Sequence, residues 1–156
     1  MLWTNKMNVC LDACFLIGLY DPRDQHHERS QELFSEMFEA RTRNVAVIIW
    51  PSLYEAVSTQ LVRHRIRTSN LERDWRKLVS TRNLVFMDDV PYRDAAFELC
   101  FSELDKPAAS YRALSLTDRV LRGVLADANA RVDGVLTFNG GDFADICKRS
   151  GRQIVC

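Results

Sequence analysis

The chain has 156 residues, 47% of them hydrophobic, and its 21 Lys and Arg balance its 21 Asp and Glu. That length fits one domain, residues 1–156, with enough chain to bury a core, and the apolar share excludes disorder. The zero formal net charge excludes a uniformly basic nucleic-acid binder, and no run approaches the roughly 20 apolar residues of a membrane span.

The elements follow in chain order. Val9-Cys10-Leu11 is a short apolar run, read as a buried strand that ends on Asp12. Ala13 to Tyr20 reads as a helix. Asp12 is thus either the cap of that helix or a carboxylate on the carboxyl edge of a sheet, where ligands bind in open α/β folds. Asp21-Pro22-Arg23-Asp24 is a turn, and Asp24 is placed to cap the next helix. That helix carries Leu33, Phe34, Met37 and Phe38 at helical spacing. His26 and His27 at its start read as solvated, because adjacent helical residues do not share a face as a metal pair would. Val45 to Ile49 is a continuous, β-branched run, the pattern of a strand buried on both faces.

Trp50-Pro51-Ser52 begins a helix with Leu53, Val57 and Leu61 on one face, and Ser52-x-x-Glu55 has the form of a capping box. A further helix covers Leu71, Trp75, Leu78 and Val79. Leu84 to Met87 is a third strand, followed by Asp88 and Asp89. Pro91 opens a helix predicted to face Tyr92, Ala95, Ala96, Leu99 and Cys100 inward. Lys106 to Ala109 is a loop. Ser115-Leu116-Thr117-Asp118 starts a helix with a second capping-box pattern. Gly134 to Phe138 is a fourth strand, Asn139 to Asp142 a turn into a last short helix, and Ile154-Val155 a final strand. Strands alternate with helices throughout, which predicts a parallel sheet covered on both faces.

The five cysteines, Cys10, Cys14, Cys100, Cys147 and Cys156, are odd in number and contain no Cys-x-x-Cys pair. A disulfide framework and a zinc site are disfavoured, a reducing cytoplasm is expected, and Cys10 and Cys14 read as small apolar residues. No secretory signal is visible, since Asp12 interrupts the first apolar stretch.

Four acidic residues share one address. Asp12 follows the first strand, Glu55 lies in the helix after the second, and Asp142 follows the fourth. Asp118 opens the helix that runs back towards the fourth strand, so it starts at the same carboxyl edge. Crowded carboxylates raise one another's pKa unless a cation neutralises them, and Mg²⁺ or Mn²⁺ prefers carboxylate oxygen and water. With no His, Cys or Lys at these addresses, metal-assisted phosphoryl chemistry is favoured over a nucleophilic triad. Taken singly, each of the four also reads as a helix cap.

The set formed by Leu11-Asp12, Pro51-Ser-Leu-Tyr-Glu55, Leu114-Ser-Leu-Thr-Asp118 and Leu136-Thr-Phe-Asn-Gly-Gly-Asp142-Phe resembles the PIN domain. It is closest to the VapC-like toxin ribonucleases. The resemblance spans Asn8 to Cys156. It implies a PIN-like three-layer α/β fold, with a central parallel sheet of four or five strands flanked by helices. It also implies a Mg²⁺- or Mn²⁺-dependent endoribonuclease whose catalytic and metal-binding quartet is Asp12, Glu55, Asp118 and Asp142, supported by Thr137 and Asn139. Partners implied are an RNA substrate, a VapB-like antitoxin and a second copy in a homodimer. A PIN nuclease of cellular RNA processing and an inactive PIN-like interaction module are the alternatives. One departure stands out: the family usually has a small hydroxyl residue directly after the first Asp, and here Ala13 and Cys14 follow.

Charge is unevenly spread. From Leu61 to Arg82, seven basic residues oppose two acidic ones, and Arg63, Arg65 and Arg67 are candidate RNA contacts. From Phe86 to Asp105, six acidic residues oppose the single Arg93.

Overall fold

The computed structural model describes residues 6–39, 43–66, 69–107 and 112–156. Strands β1 (Asn8–Leu11), β2 (Val45–Ile49), β3 (Leu84–Met87), β4 (Gly134–Leu136) and β5 (Gln153–Val155) form one sheet in the order β3-β2-β1-β4-β5. Every pairing is parallel. β1 sits in the middle, with Val9 opposite Ala46 on one side and Gly134 on the other. The chain winds outward from β1 in one direction, then returns to add β4 on its other side. The order therefore reverses between β1 and β4, and the carboxyl end of that pair is where such sheets open a ligand crevice.

Helices cover both faces: α1 (Ala13–Tyr20), α2 (His27–Phe34), α3 (Trp50–Glu55), α4 (Ser69–Ser80), α5 (Val90–Leu104), α6 (Leu116–Ala126) and α7 (Gly140–Ser150). Single π-helical turns lengthen α2 over Ser35–Glu39 and α3 over Ala56–Leu61. The two-residue alternation of the strands sorts the core. Val9, Leu11, Ala46 and Ile48 pack with Phe15, Leu16, Phe34 and Met37 in one cluster. Cys10, Val47 and Ile49 point the other way, into Val120, Leu121, Val124, Leu125 and Phe143. All five residues of β2 are buried, as its unbroken apolar run predicts. Gly134 lets β4 approach β5 closely, since a Cβ there would stand 2.5 Å from the Gln153 carbonyl oxygen.

Three expectations are corrected. β4 ends at Leu136, so Thr137 and Phe138 leave the strand for the turn that builds the site. α5 buries only Ala96, while Ala95 is exposed and Leu99 is 47% exposed. This helix packs chiefly on α6 and away from the sheet, and its apolar residues occupy more than one face, so spacing alone did not fix the inward side. Finally, Ser52 caps nothing. The N-cap of α3 is Ile49, Pro51 occupies its first turn, and the Ser52 hydroxyl is fully buried with no hydrogen-bond partner among the described residues.

Candidate active site

The site lies at the carboxyl end of β1 and β4. The Asp12 backbone N–H still donates to the Leu136 carbonyl across the two strands, at 3.1 Å. Beyond that bond the chain turns into α1, and Asp12 is its N-cap, accepting from the Ala13 N–H through Oδ1 at 2.7 Å. Its other oxygen is free for a second task. Oδ2 accepts from the Thr137 hydroxyl at 2.7 Å and from the Cys14 thiol at 3.0 Å. Asp12 thus caps α1 with one oxygen and holds two side-chain donors with the other, and it is only 3% exposed.

Cys14 corrects the reading of that residue as a small apolar one. Its sulfur bonds Asp12, lies 3.4 Å from the Thr137 hydroxyl and accepts from the Phe138 N–H at 3.3 Å. Burial beside Asp12 pushes the thiol up to about 12, so it stays protonated and able to donate. Thr137 is fully buried and also accepts from the Asn139 N–H at 3.0 Å, which fixes the start of the turn into α7. Asn139 is the residue preceding α7, but its side chain makes no cap bond.

Asp118 sits in a complete capping box. Its N–H donates to the Ser115 hydroxyl oxygen at 3.0 Å, and its Oδ2 accepts from the Ser115 N–H at 3.0 Å and hydroxyl at 2.8 Å. The box uses Oδ2 alone. Glu55 is half-buried at the end of α3 and accepts a hydrogen bond from the neighbouring Thr117 side chain.

Electrostatics tie three of the four acids together. Burial raises the Asp12 carboxyl above its ordinary value; the thiol and hydroxyl donors pull it back, and the Asp118 charge raises it further. Burial also raises Glu55, and the charges of Asp118 and Asp12 add to that. Asp12, Glu55 and Asp118, some 43 to 106 positions apart, thus lie in one another's field. Asp142 is not among the charges acting on Asp12 or Glu55. It lies in the first turn of α7, its carbonyl accepting from Arg122 Nη1 at 2.5 Å, beside a cluster in which Arg112 and Arg122 hold Asp145 well below the usual carboxylate range.

Among the described residues no three His, Cys, Asp or Glu side chains stand close enough to form a ready-made ligand cage. Mg²⁺ does not need one, because it keeps several waters and takes one or two carboxylates directly. Three hard oxygen donors, two of them destabilised in their ionised form, fit such an ion.

The basic candidates lie elsewhere. Arg63 and Arg65 are exposed beyond α3 and its π turn, where His64 hydrogen-bonds Asp21 at the carboxyl end of α1, the end away from Asp12. Arg67 lies outside the described residues. The histidines are not simply solvated either: His26 stacks on Phe138 with ring centroids 4.1 Å apart, and His27 Nδ1 lies 2.8 Å from the Gly18 carbonyl. Asp24 steadies this approach by accepting from the His26 N–H at 2.8 Å, while the residue preceding α2 is His26.

No family model matches the chain, and no curated protein matches it. A solved structure does: VapC20 of Mycobacterium tuberculosis, a Sarcin-Ricin loop cleaving toxin. The two superpose with a TM-score of 0.59 at 14% identity, over 88% of this chain and 94% of that one. The likeness is one of fold. The chain has the PIN-like α/β fold of a VapC toxin, a central parallel sheet between layers of helices.

Proposed function

We propose that this protein is a Mg²⁺- or Mn²⁺-dependent endoribonuclease of the VapC-like PIN family, the toxin of a toxin–antitoxin pair. The observation that carries this reading is the meeting of Asp12, Glu55 and Asp118 at the switch point of the sheet, each within the field of another. The PIN-like fold shared with VapC20, a Sarcin-Ricin loop cleaving toxin, supports it.

Asp12, Glu55 and Asp118 would hold the cation, with Asp142 as the fourth acid of the rim. When bound, the ion would supply a water of lowered pKa and charge stabilisation at the scissile phosphate. The protein's own part is positioning. Thr137 and Cys14 fix the Asp12 carboxylate from behind, Ser115 fixes Asp118, and Thr117 orients Glu55. Supporting bonds of this kind are worth about 10–100-fold in affinity or activity. Asn139 holds the turn through its backbone bond to Thr137. Arg63, Arg65 and Arg67 are assigned to phosphates of a flanking RNA segment, so their removal lowers the salt dependence of binding.

The partners follow from the same reading: an RNA substrate, a VapB-like antitoxin that covers the cleft, and a second copy of the chain. For the homodimer the α5 outer face offers a surface. Phe97 and Phe101 meet edge-to-face at 4.9 Å, and with Leu104 they are 51%, 55% and 66% exposed. Phe97→Asp with Phe101→Asp is expected to turn a dimer into a monomer in light scattering. Among the described residues no helix is long and apolar enough to cross a membrane, and a cytoplasmic location is proposed with the toxin role.

The deciding experiment incubates purified protein with RNA and with DNA, in Mg²⁺, Mn²⁺ or chelator, beside Asp118→Asn. Metal-dependent RNA cleavage lost in the variant supports the proposal. An Asp118→Asn protein as active as wild type refutes it. Absence of any Mn²⁺-induced rise in Tm points to the interaction module instead.

A further inference from the structure

Next to the acidic site is a cleft of about 630 Å³, lined by Trp50, Tyr54, Glu55, Asp88, Arg93 and Thr117 among others. Glu55 and Thr117 belong to the site itself, so the cleft and the reacting centre share a wall. Its other wall carries Tyr54 and Trp50. They begin a continuous chain of rings that runs on outside the cleft through Phe86 to Trp75, with successive centroids 5.9, 5.2 and 5.9 Å apart.

Trp75 packs against the core, but the other three rings are turned outward: Tyr54 is 62% exposed, and Trp50 and Phe86 are each 38% exposed. The inward face of α3 is supplied by Ser52 and Leu53 and, in its π turn, by Ala56 and Leu61. Trp50 lies nearly parallel to Phe86, at 19°, which braces it from one side; Tyr54 is tilted by 33° and presents the more open ring.

The charges around the cleft say what it does not bind. Arg93 forms two bonds with Asp89, at 2.9 and 3.0 Å, so its charge is matched, and Asp88 adds a carboxylate that accepts from the Val90 N–H. Such a cleft repels phosphate. It suits a flat, neutral group that offers an apolar face and N–H donors at its edge. An unpaired nucleobase has both, and stacking on aromatic rings tolerates any base.

We propose that this cleft is a nucleobase-stacking subsite, in which Tyr54 and Trp50 receive an unpaired base adjoining the scissile phosphate. The assignment rests on the nuclease reading for its place beside the cut, but base stacking itself is testable without cleavage. Binding of a short single-stranded RNA is measured in chelator by fluorescence anisotropy, on wild type, Tyr54→Ala, Tyr54→Phe and Trp50→Ala. A matching RNA with one abasic position is measured alongside.

Tyr54→Ala is expected to weaken binding of the intact RNA about ten-fold, and Tyr54→Phe to restore it. The abasic RNA is expected to bind wild type about as weakly as the intact RNA binds Tyr54→Ala, with no further loss when the two are combined. In cleavage assays the same variants raise KM more than they lower kcat. Ring variants that bind both RNAs as wild type does overturn the proposal. So does a Tyr54→Ala or Trp50→Ala protein whose only change is loss of self-association, because the rings then serve a protein contact. If wild type cuts no RNA but Tyr54→Ala still loses binding, the nuclease reading fails and the stacking subsite stands.

Discussion

Two helix starts in this chain carry the same four-residue pattern, and they fold differently. Ser115-x-x-Asp118 closes a capping box in which each residue satisfies the other's backbone N–H. Ser52-x-x-Glu55 closes nothing, because the helix has already begun at Trp50 and the serine has turned into the interior. The cause is upstream. Pro51 is preorganised for the first turn of a helix and lacks the N–H that a cap would satisfy, so it draws the start of α3 three residues earlier. The two acids reach one site by different routes: Asp118 is fixed by its own helix terminus, Glu55 by Thr117 from the other helix. A local pattern proposes a cap, and the residue beside it decides.

The sharpest break of this comparison is at the acids themselves. Asp12→Asn and Asp118→Asn should each lower metal-dependent cleavage by at least about 100-fold, more than the loss of a supporting bond. Circular dichroism should show both still folded. Next comes the support. Cys14→Ala should cost about 10–100-fold in kcat/KM, and Cys14→Ser should restore most of it, since a hydroxyl donates to Asp12 as the thiol does. Equal activity of the alanine and serine variants would remove Cys14 from the site.

The two serines then sharpen the contrast through stability. Ser115→Ala should lower unfolding free energy by about 0.5–2 kcal/mol, the usual cost of a lost cap. Ser52→Ala should leave stability unchanged or raise it by about 1 kcal/mol, because it removes a buried hydroxyl with no partner among the described residues. Urea denaturation of both variants checks the pair.

The smallest effects are in pH. Asp12 and Glu55 are raised, so both keep their protons to a higher pH than free carboxyls do. Cleavage that needs them ionised should fall as pH drops through a window above the ordinary carboxylate range. In metal-free protein the native state binds the extra protons in that window, so these two groups lower stability as pH rises through it. Asp118→Asn removes one of the charges that raise Asp12. Carbon NMR of the Asp12 carboxyl should therefore titrate at lower pH in that variant.

Much of this was legible beforehand. β2 reads as a doubly buried strand because nothing in it is polar, and β1 ends where Asp12 ends its apolar run. Parallel topology, which puts strand ends and returning helix starts on one edge, predicts that Asp12, Glu55, Asp118 and Asp142 converge; the first three lie in one another's field, while Asp142 is not among the charges acting on Asp12 or Glu55. Three things were not legible. The inward face of α5 was hidden because apolar residues lie all round it. Cys14 reads as a small apolar residue by habit; its bond to Asp12 spans only two positions, but its contact with Thr137 exists only after residues 123 positions apart have met. The stacking of His26 on Phe138 has no sequence signal, because ring contacts between loops leave no periodicity.

The hydrogen bond between Thr137 and Asp12 closes a loop of 125 positions, and β1 pairs with β4 only when that loop closes. A chain emerging from the ribosome can lay β1 against β2 early, but β4 and the hydroxyl behind Asp12 arrive only 125 positions after Asp12 itself. Contacts this distant are the slow, late ones in folding. The last long-range pairing of the sheet is therefore also the contact that finishes the surroundings of Asp12, and a chain that has not made it has neither.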